Sequence, residues 1–228
     1  MRRAFFWPVS AVTLVWAAFA VADNSDGHWR LKGEYAFTGT GACLVAPGST
    51  SPATPTNPTP GISLPNAGFT ANLQPVDGKV FSFSTSVEGI QTFNGDGTGT
   101  VNGTVLSISV PPTPGPAGSG YPSFPPSASS NTFSASFTYT VLADGTTFTV
   151  EFVPGSFLGT FLTGPRTGQT FTSDNPPLTG LIGKDKKMLT LASVEPTIEI
   201  QTHSNGDVWP RICHRSRVLI KLGKSDRD

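Results

Sequence analysis

The sequence is poor in the residues on which most catalytic and nucleic-acid-binding readings rest. Only 13% of it is charged, and 15 Lys and Arg balance 15 Asp and Glu. A near-neutral chain of this kind lacks the basic footprint that nucleic acid requires. There are two cysteines and three histidines, His28, His203 and His214. None stands at zinc-ligand spacing from another, since Cys213 and His214 are adjacent, so no metal site is expected. The absence of C-x-x-C removes a redox pair of thioredoxin type. The Gly-x-Ser-x-Gly nucleophile elbow and the glycine-rich phosphate loops are also missing, so no nucleotide cofactor is expected and no catalytic residue can be named. After the N-terminus no stretch keeps a 3.6-residue apolar period, and none is long and apolar enough to span a membrane as a helix.

What is present begins with a leader. Arg2 and Arg3 are followed by an almost wholly apolar run over residues 4–19, and Ala20-Val21-Ala22 forms an A-x-A cleavage pattern before a polar segment. This is the layout of a secretory signal peptide over residues 1–22. Pro8 and the shortness of the run argue against a membrane anchor, which needs roughly 18–20 apolar residues. Cleavage removes two arginines and no acid, leaving a slightly acidic mature chain, residues 23–228, of single-domain size. The expected location is periplasmic or secreted. There Cys43 and Cys213 would pair as a disulfide closing a loop of about 170 residues, worth roughly 4–5 kcal/mol on a chain-entropy estimate.

The body of the chain has 25 Gly and 21 Pro and alternates with period 2 throughout. In residues 31–45, Tyr35, Phe37, Gly39, Gly41 and Cys43 share one face. Phe81, Phe83 and Val87 alternate with serines and lead through Asn94-Gly95-Asp96-Gly97 into a return strand. Phe133, Ala135, Phe137 and Tyr139 share a face before an Asp144-Gly145 turn, and Phe148, Val150 and Phe152 continue the pattern. Such turns carry positive φ and match strand twist. Asp96 is the only charge in its turn, too few ligands for a calcium loop. Shorter strands follow to the end of the chain, and Pro-rich loops are expected at 46–66 and 111–131. The expected fold class is all-β: an antiparallel meander of about 8–10 strands closed into a β-barrel, with a two-sheet β-sandwich as the alternative.

The most unusual composition lies in residues 209–222. Arg211, Cys213, Arg215 and Arg217 fall on one face, and Ile212, His214, Ser216, Val218, Ile220 and Leu222 on the other. A Cys43–Cys213 bond between neighbouring strands sets the arginine face against the aromatic face of Tyr35 and Phe37. Three resolutions are open: a glycine bulge at Gly39 or Gly41 flips the parity, the arginines form an exterior stripe, or the shared face lines a polar cavity. The third would make Tyr35, Phe37, Arg211 and Arg215 ligand-binding residues, and the guanidinium fork suits an anionic or carboxylate-bearing ligand. Glu88, Glu151, Glu195 and Glu199 are read as surface acids.

Leu31-Lys32-Gly33-Glu34-Tyr35-Ala36-Phe37-Thr38-Gly39, Thr92-Phe93-Asn94-Gly95-Asp96-Gly97-Thr98-Gly99 and Ile212-Cys213-His214-Arg215-Ser216 resemble a group of uncharacterised exported bacterial β-rich proteins. That resemblance covers most of the mature chain and implies no activity. In architecture alone the glycine-punctuated meander is similar to lipocalins and to the allene oxide cyclase/dirigent barrel. The functional expectation is an exported barrel that binds a small, partly apolar ligand in its interior. The alternatives are a non-catalytic envelope or interaction protein, and a cyclase- or isomerase-type enzyme using inward-facing Glu151, Arg211 or Arg215.

Overall fold

A computed structural model describes residues 31–46, 68–75, 80–110 and 127–223. The leader expected at 1–22 and most of the two Pro-rich segments lie outside them. The described residues form eleven antiparallel strands and no helix. They are β1 (Lys32–Val45), β2 (Phe81–Asn94), β3 (Thr98–Val110), β4 (Ser127–Val141), β5 (Thr147–Phe152), β6 (Leu158–Phe161), β7 (Thr170–Ser173), β8 (Leu178–Ile182), β9 (Met188–Ala192), β10 (Ile198–His203) and β11 (Val208–Lys221). β4 opens at Ser127, inside the segment read as loop up to residue 131. Its first residues have alternating small side chains and pair Ser109–Ser127 through Val105–Asn131 with β3.

The sheet closes because β1 pairs with β2 on one side and β11 on the other. β1 to β4 form the expected meander. From β5 the topology is different, and strand length is the reason. At about 3.3 Å per residue, the 13–15-residue strands are roughly 45 Å long and the 4–6-residue strands at most about 20 Å. One short strand therefore covers less than half a long neighbour. Two share the free edge of β4, with β6 on Asn131–Ser134 and β5 on Phe137–Val141. Two share the free edge of β11, with β10 on its N-terminal half and β9 on its C-terminal half. Between β4 and β11 the wall is thus β5-β8-β9 at one end and β6-β7-β10 at the other, and either path completes a ring of eight strands. The chain crosses between these half-walls three times, through segments holding Pro154, Pro176-Pro177 and Pro196. Proline has no N–H to donate and stops a ladder. The waist is tied by hydrogen bonds from Val153 N to Ser136 O (2.9 Å) and from Ser193 N to Arg215 O (3.0 Å).

The two halves of the interior differ. The half walled by β5, β8 and β9 is packed with Tyr35, Phe37, Phe93, Phe137, Tyr139, Phe148, Leu189, Leu191 and Leu219. Phe93 is its hub, meeting Tyr35, Phe137 and Tyr139 edge-on at centroid distances of 5.4, 5.4 and 5.0 Å. The buried phenols find acceptors, as they must in an apolar core. Tyr139 Oη donates to Leu31 O at 2.5 Å and Tyr35 Oη to Lys186 O at 2.8 Å. The turns follow the sequence reading. Asp96 accepts from Thr98 N and Oγ1, and Asp144 accepts from the backbone of Thr146 and Thr147. These bonds, led by the Thr147 hydroxyl, hold the Asp144 carboxyl below its usual range.

Candidate functional site

The other half, walled by β6, β7 and β10, encloses a cavity of about 400 Å³. That is within the range of small-molecule sites, roughly 300–1,000 Å³. β1 to β4 reach it at one end of each strand, with Cys43, Phe81, Ser109 and Ser127 in its lining. Its lining combines Phe83, Phe152, Phe157, Phe161, Phe171 and Trp209 with small hydroxylic residues of β3 and β4. Among the described residues, every charged one lining it is an arginine: Arg166, Arg211, Arg215 and Arg217.

The arginines are inside because the register puts them there. β1 and β11 pair without interruption from Tyr35–Lys221 to Val45–Arg211, with Cys43 opposite Cys213. The expected disulfide joins them. No bulge intervenes, so the parity flip at Gly39 or Gly41 does not occur and the arginine and aromatic rows share the interior face. The glycines have another role. Gly39 faces Arg217, and a Cβ there would meet Ser216 O at 2.3 Å and Arg217 Cγ at 2.8 Å. Gly41 faces Arg215 and has Thr85 Oγ1 at 2.8 Å from the same notional atom. Bare backbone on β1 makes room for two long cationic stems.

β10 is also polar inward. Glu199, Gln201 and His203 are buried, while Ile198 and Ile200 alternate with them and are only partly covered. Glu199, 1% exposed, corrects its reading as a surface acid; Glu88, Glu151 and Glu195 are exposed as expected. Its Oε1 accepts from Arg211 Nε at 2.6 Å and from Arg215 Nη2. Arg211 further donates from Nη1 to Gln201 Oε1 and from Nη2 to Ser173 Oγ (2.9 Å). Burial alone would push the Glu199 carboxyl up, but the two guanidiniums outweigh it and hold the group below the usual carboxylate range. Arg211 is pushed down by its burial, against the pull of Glu199. Towards the end of the barrel the Arg166 guanidinium lies 3.5 Å from the centroid of the Trp209 ring. Trp209 meets Phe81 edge-on at 5.2 Å and His203 at 4.6 Å. His203, among Phe161, Phe171 and Trp209, has no partner among the described residues for either ring nitrogen. Burial, and then Arg166, push it down to about 4.

Of the four residues expected to bind ligand, Arg211 and Arg215 line the cavity. Phe37 faces the same interior but lies below Arg217, its ring centroid 4.9 Å from the guanidinium carbon. Tyr35 sits two residues deeper, where burial pushes its phenol up to about 12. Neither belongs to the cavity lining. Glu151, named for a catalytic alternative, is exposed. Glu199 and Gln201 were missed, although a signal existed. They and His203 recur at every second position of one short strand, so whichever face they share is polar. The Glu199 carboxylate and the sulfurs of Cys43 and Cys213 lie within 4.8 Å of one another. The sulfurs are bonded to each other and offer no thiolate to a metal. No helix among the described residues is long and apolar enough to cross a membrane.

Compared with known proteins, the chain matches no protein-family model, no curated protein and no solved structure. Fold and site therefore define a class by geometry alone: a closed antiparallel β-barrel, packed at one end and hollow at the other, with arginines facing the hollow.

Proposed function

We propose that this is an exported barrel that binds a small, partly apolar molecule in its interior. The observation that carries the reading is the cavity of about 400 Å³ in one half of an otherwise densely packed barrel. A core whose only task is stability fills with side chains, as the other half does. Here aromatic walls supply apolar area, and hydroxyl, amide and guanidinium groups supply orientation, the usual composition of a small-molecule site. The leader and the disulfide support export, because a bond of this kind persists in an oxidising compartment. The test is native mass spectrometry of protein purified from its own host. The expected result is a small molecule that leaves on denaturation. A bare mass, together with no uptake of the cavity probe 1-aminoanthracene, would refute the reading.

A further inference from the structure

The charge of the cavity identifies the polar end of that molecule, an inference that rests on the binding reading above. Among the described residues, three arginines of β11 face the interior and one carboxylate, Glu199, answers them. Arg211 is well partnered, with Nε, Nη1 and Nη2 each donating to a separate acceptor. Arg215 gives Nη2 to Glu199, and its Nη1 is buried without a partner among the described residues. Arg217 has no ion pair among the described residues. Its Nε is buried and unpartnered, and its guanidinium carbon lies 4.9 Å from the Phe37 ring centroid and 5.9 Å from that of Phe133. Burial, and then the charge of Arg215, push it down to about 10, which leaves it protonated at neutral pH.

Two adjacent guanidiniums with unused donors are costly to bury. The neighbouring strand supplies no counter-charge, since Gly39 and Gly41 stand opposite and give space alone, and Phe37 offers Arg217 only the face of its ring. Arg215 and Arg217 line the cavity together with Phe83, Phe133, Phe152 and Phe157. A planar carboxylate fits a guanidinium fork, and an aromatic-walled hollow suits an apolar body. We infer that the cavity takes an amphipathic carboxylate, its head accepting from the guanidiniums of Arg215 and Arg217 and its body lying among the phenylalanines.

The experiment measures binding to the disulfide-bonded protein by calorimetry, using two probes with a carboxylate and two of matched body without one. Decanoate and 2-naphthoate are expected to bind at least tenfold more tightly than decan-1-ol and 2-naphthamide. In Arg217→Met and in Arg215→Met that preference should fall below threefold, with the neutral probes unaffected. Without ligand, Arg217→Met should unfold at the same or a higher urea concentration than the parent, because it removes an uncompensated charge. A midpoint lowered by more than the loss of the ring contacts to Phe37 and Phe133 accounts for would mean that Arg217 is already neutralised in the free protein, and would overturn the inference. So would a preference for the carboxylates that survives in both variants. Equal binding of charged and neutral probes would reject the carboxylate but keep an apolar-ligand site. Binding of none of the four at millimolar concentration would defeat the cavity reading itself.

Discussion

Glu199→Gln is the sharpest test of how the hollow half of the barrel is held together. The substitution keeps shape and removes the one carboxylate that Arg211 and Arg215 share. At an effective dielectric of about 20, charges about 4 Å apart attract by about 4 kcal/mol, so two such pairs amount to about 8 kcal/mol gross. Part of this is offset by the several kcal/mol needed to desolvate the carboxylate, which glutamine avoids, so the expected net loss is about 3–5 kcal/mol. For a domain of this size that corresponds to a melting temperature lower by roughly 10 °C. Urea unfolding followed by tryptophan fluorescence, with the disulfide intact, measures it. If the loss comes from stranded positive charge, adding Arg215→Gln to Glu199→Gln should recover about half. The pH profile supplies a second arm. Glu199 has a depressed folded pKa, so the stability it contributes is present above its ordinary carboxylate value and is lost as pH falls through the folded one. That part of the acid destabilisation should vanish in Glu199→Gln. A loss under about 1 kcal/mol, the size of an exposed pair, or a double variant as unstable as the sum of the two single changes, would refute the ionic account.

Three further outcomes are expected. His203 is neutral when folded and titrates near 4, below its unfolded value of about 6.5, so the unfolded chain binds more protons between these limits and stability falls as pH drops from 6.5 towards 4. The full effect is up to about 3 kcal/mol, and His203→Phe should flatten that segment of a urea-midpoint profile; an unchanged slope would count against it. Replacing Cys43 and Cys213 together by serine opens a link of sequence separation 170 and should cost about 5 kcal/mol on the entropic estimate, read as a lower denaturation midpoint; a change under 1 kcal/mol would show that the ladder alone fixes the β1–β11 seam. Gly39→Ala should destabilise by about 1–3 kcal/mol through overpacking and displace Arg217, whereas an outward Thr38→Ala at the adjacent position should cost under 1 kcal/mol in the same unfolding assay.

Much of this architecture is legible in the chain before it folds. Period-2 alternation with no helical stretch specifies an all-β protein, because each parity pattern can bury one face only in a pleated strand. Asn94-Gly95, Asp144-Gly145 and Asn205-Gly206 mark turns through local backbone chemistry, and with only two cysteines the disulfide has one possible pairing. The same parity placed Arg211, Arg215 and Cys213 on one face. What parity does not contain is the sign of that face. Hydrophobicity ordinarily supplies it, and here the rule fails along β10 and β11, where Ile198, Ile200, Ile212 and Ile220 point away from a buried polar row. Only the closed ring decided that Arg217 lies over Phe37, that Glu199 is the shared counter-ion rather than a surface acid, and that Tyr35 belongs to the packed end. Only the ring decided, too, that short strands fill the wall in two half-height sets, one enclosing a solid core and the other a cavity. Most of those outcomes depend on which strands meet across the barrel, over separations of many tens of residues that local pattern does not span; Glu199 lies only 12 and 16 residues from its arginines, and there the ring decides the sign of the β10 face.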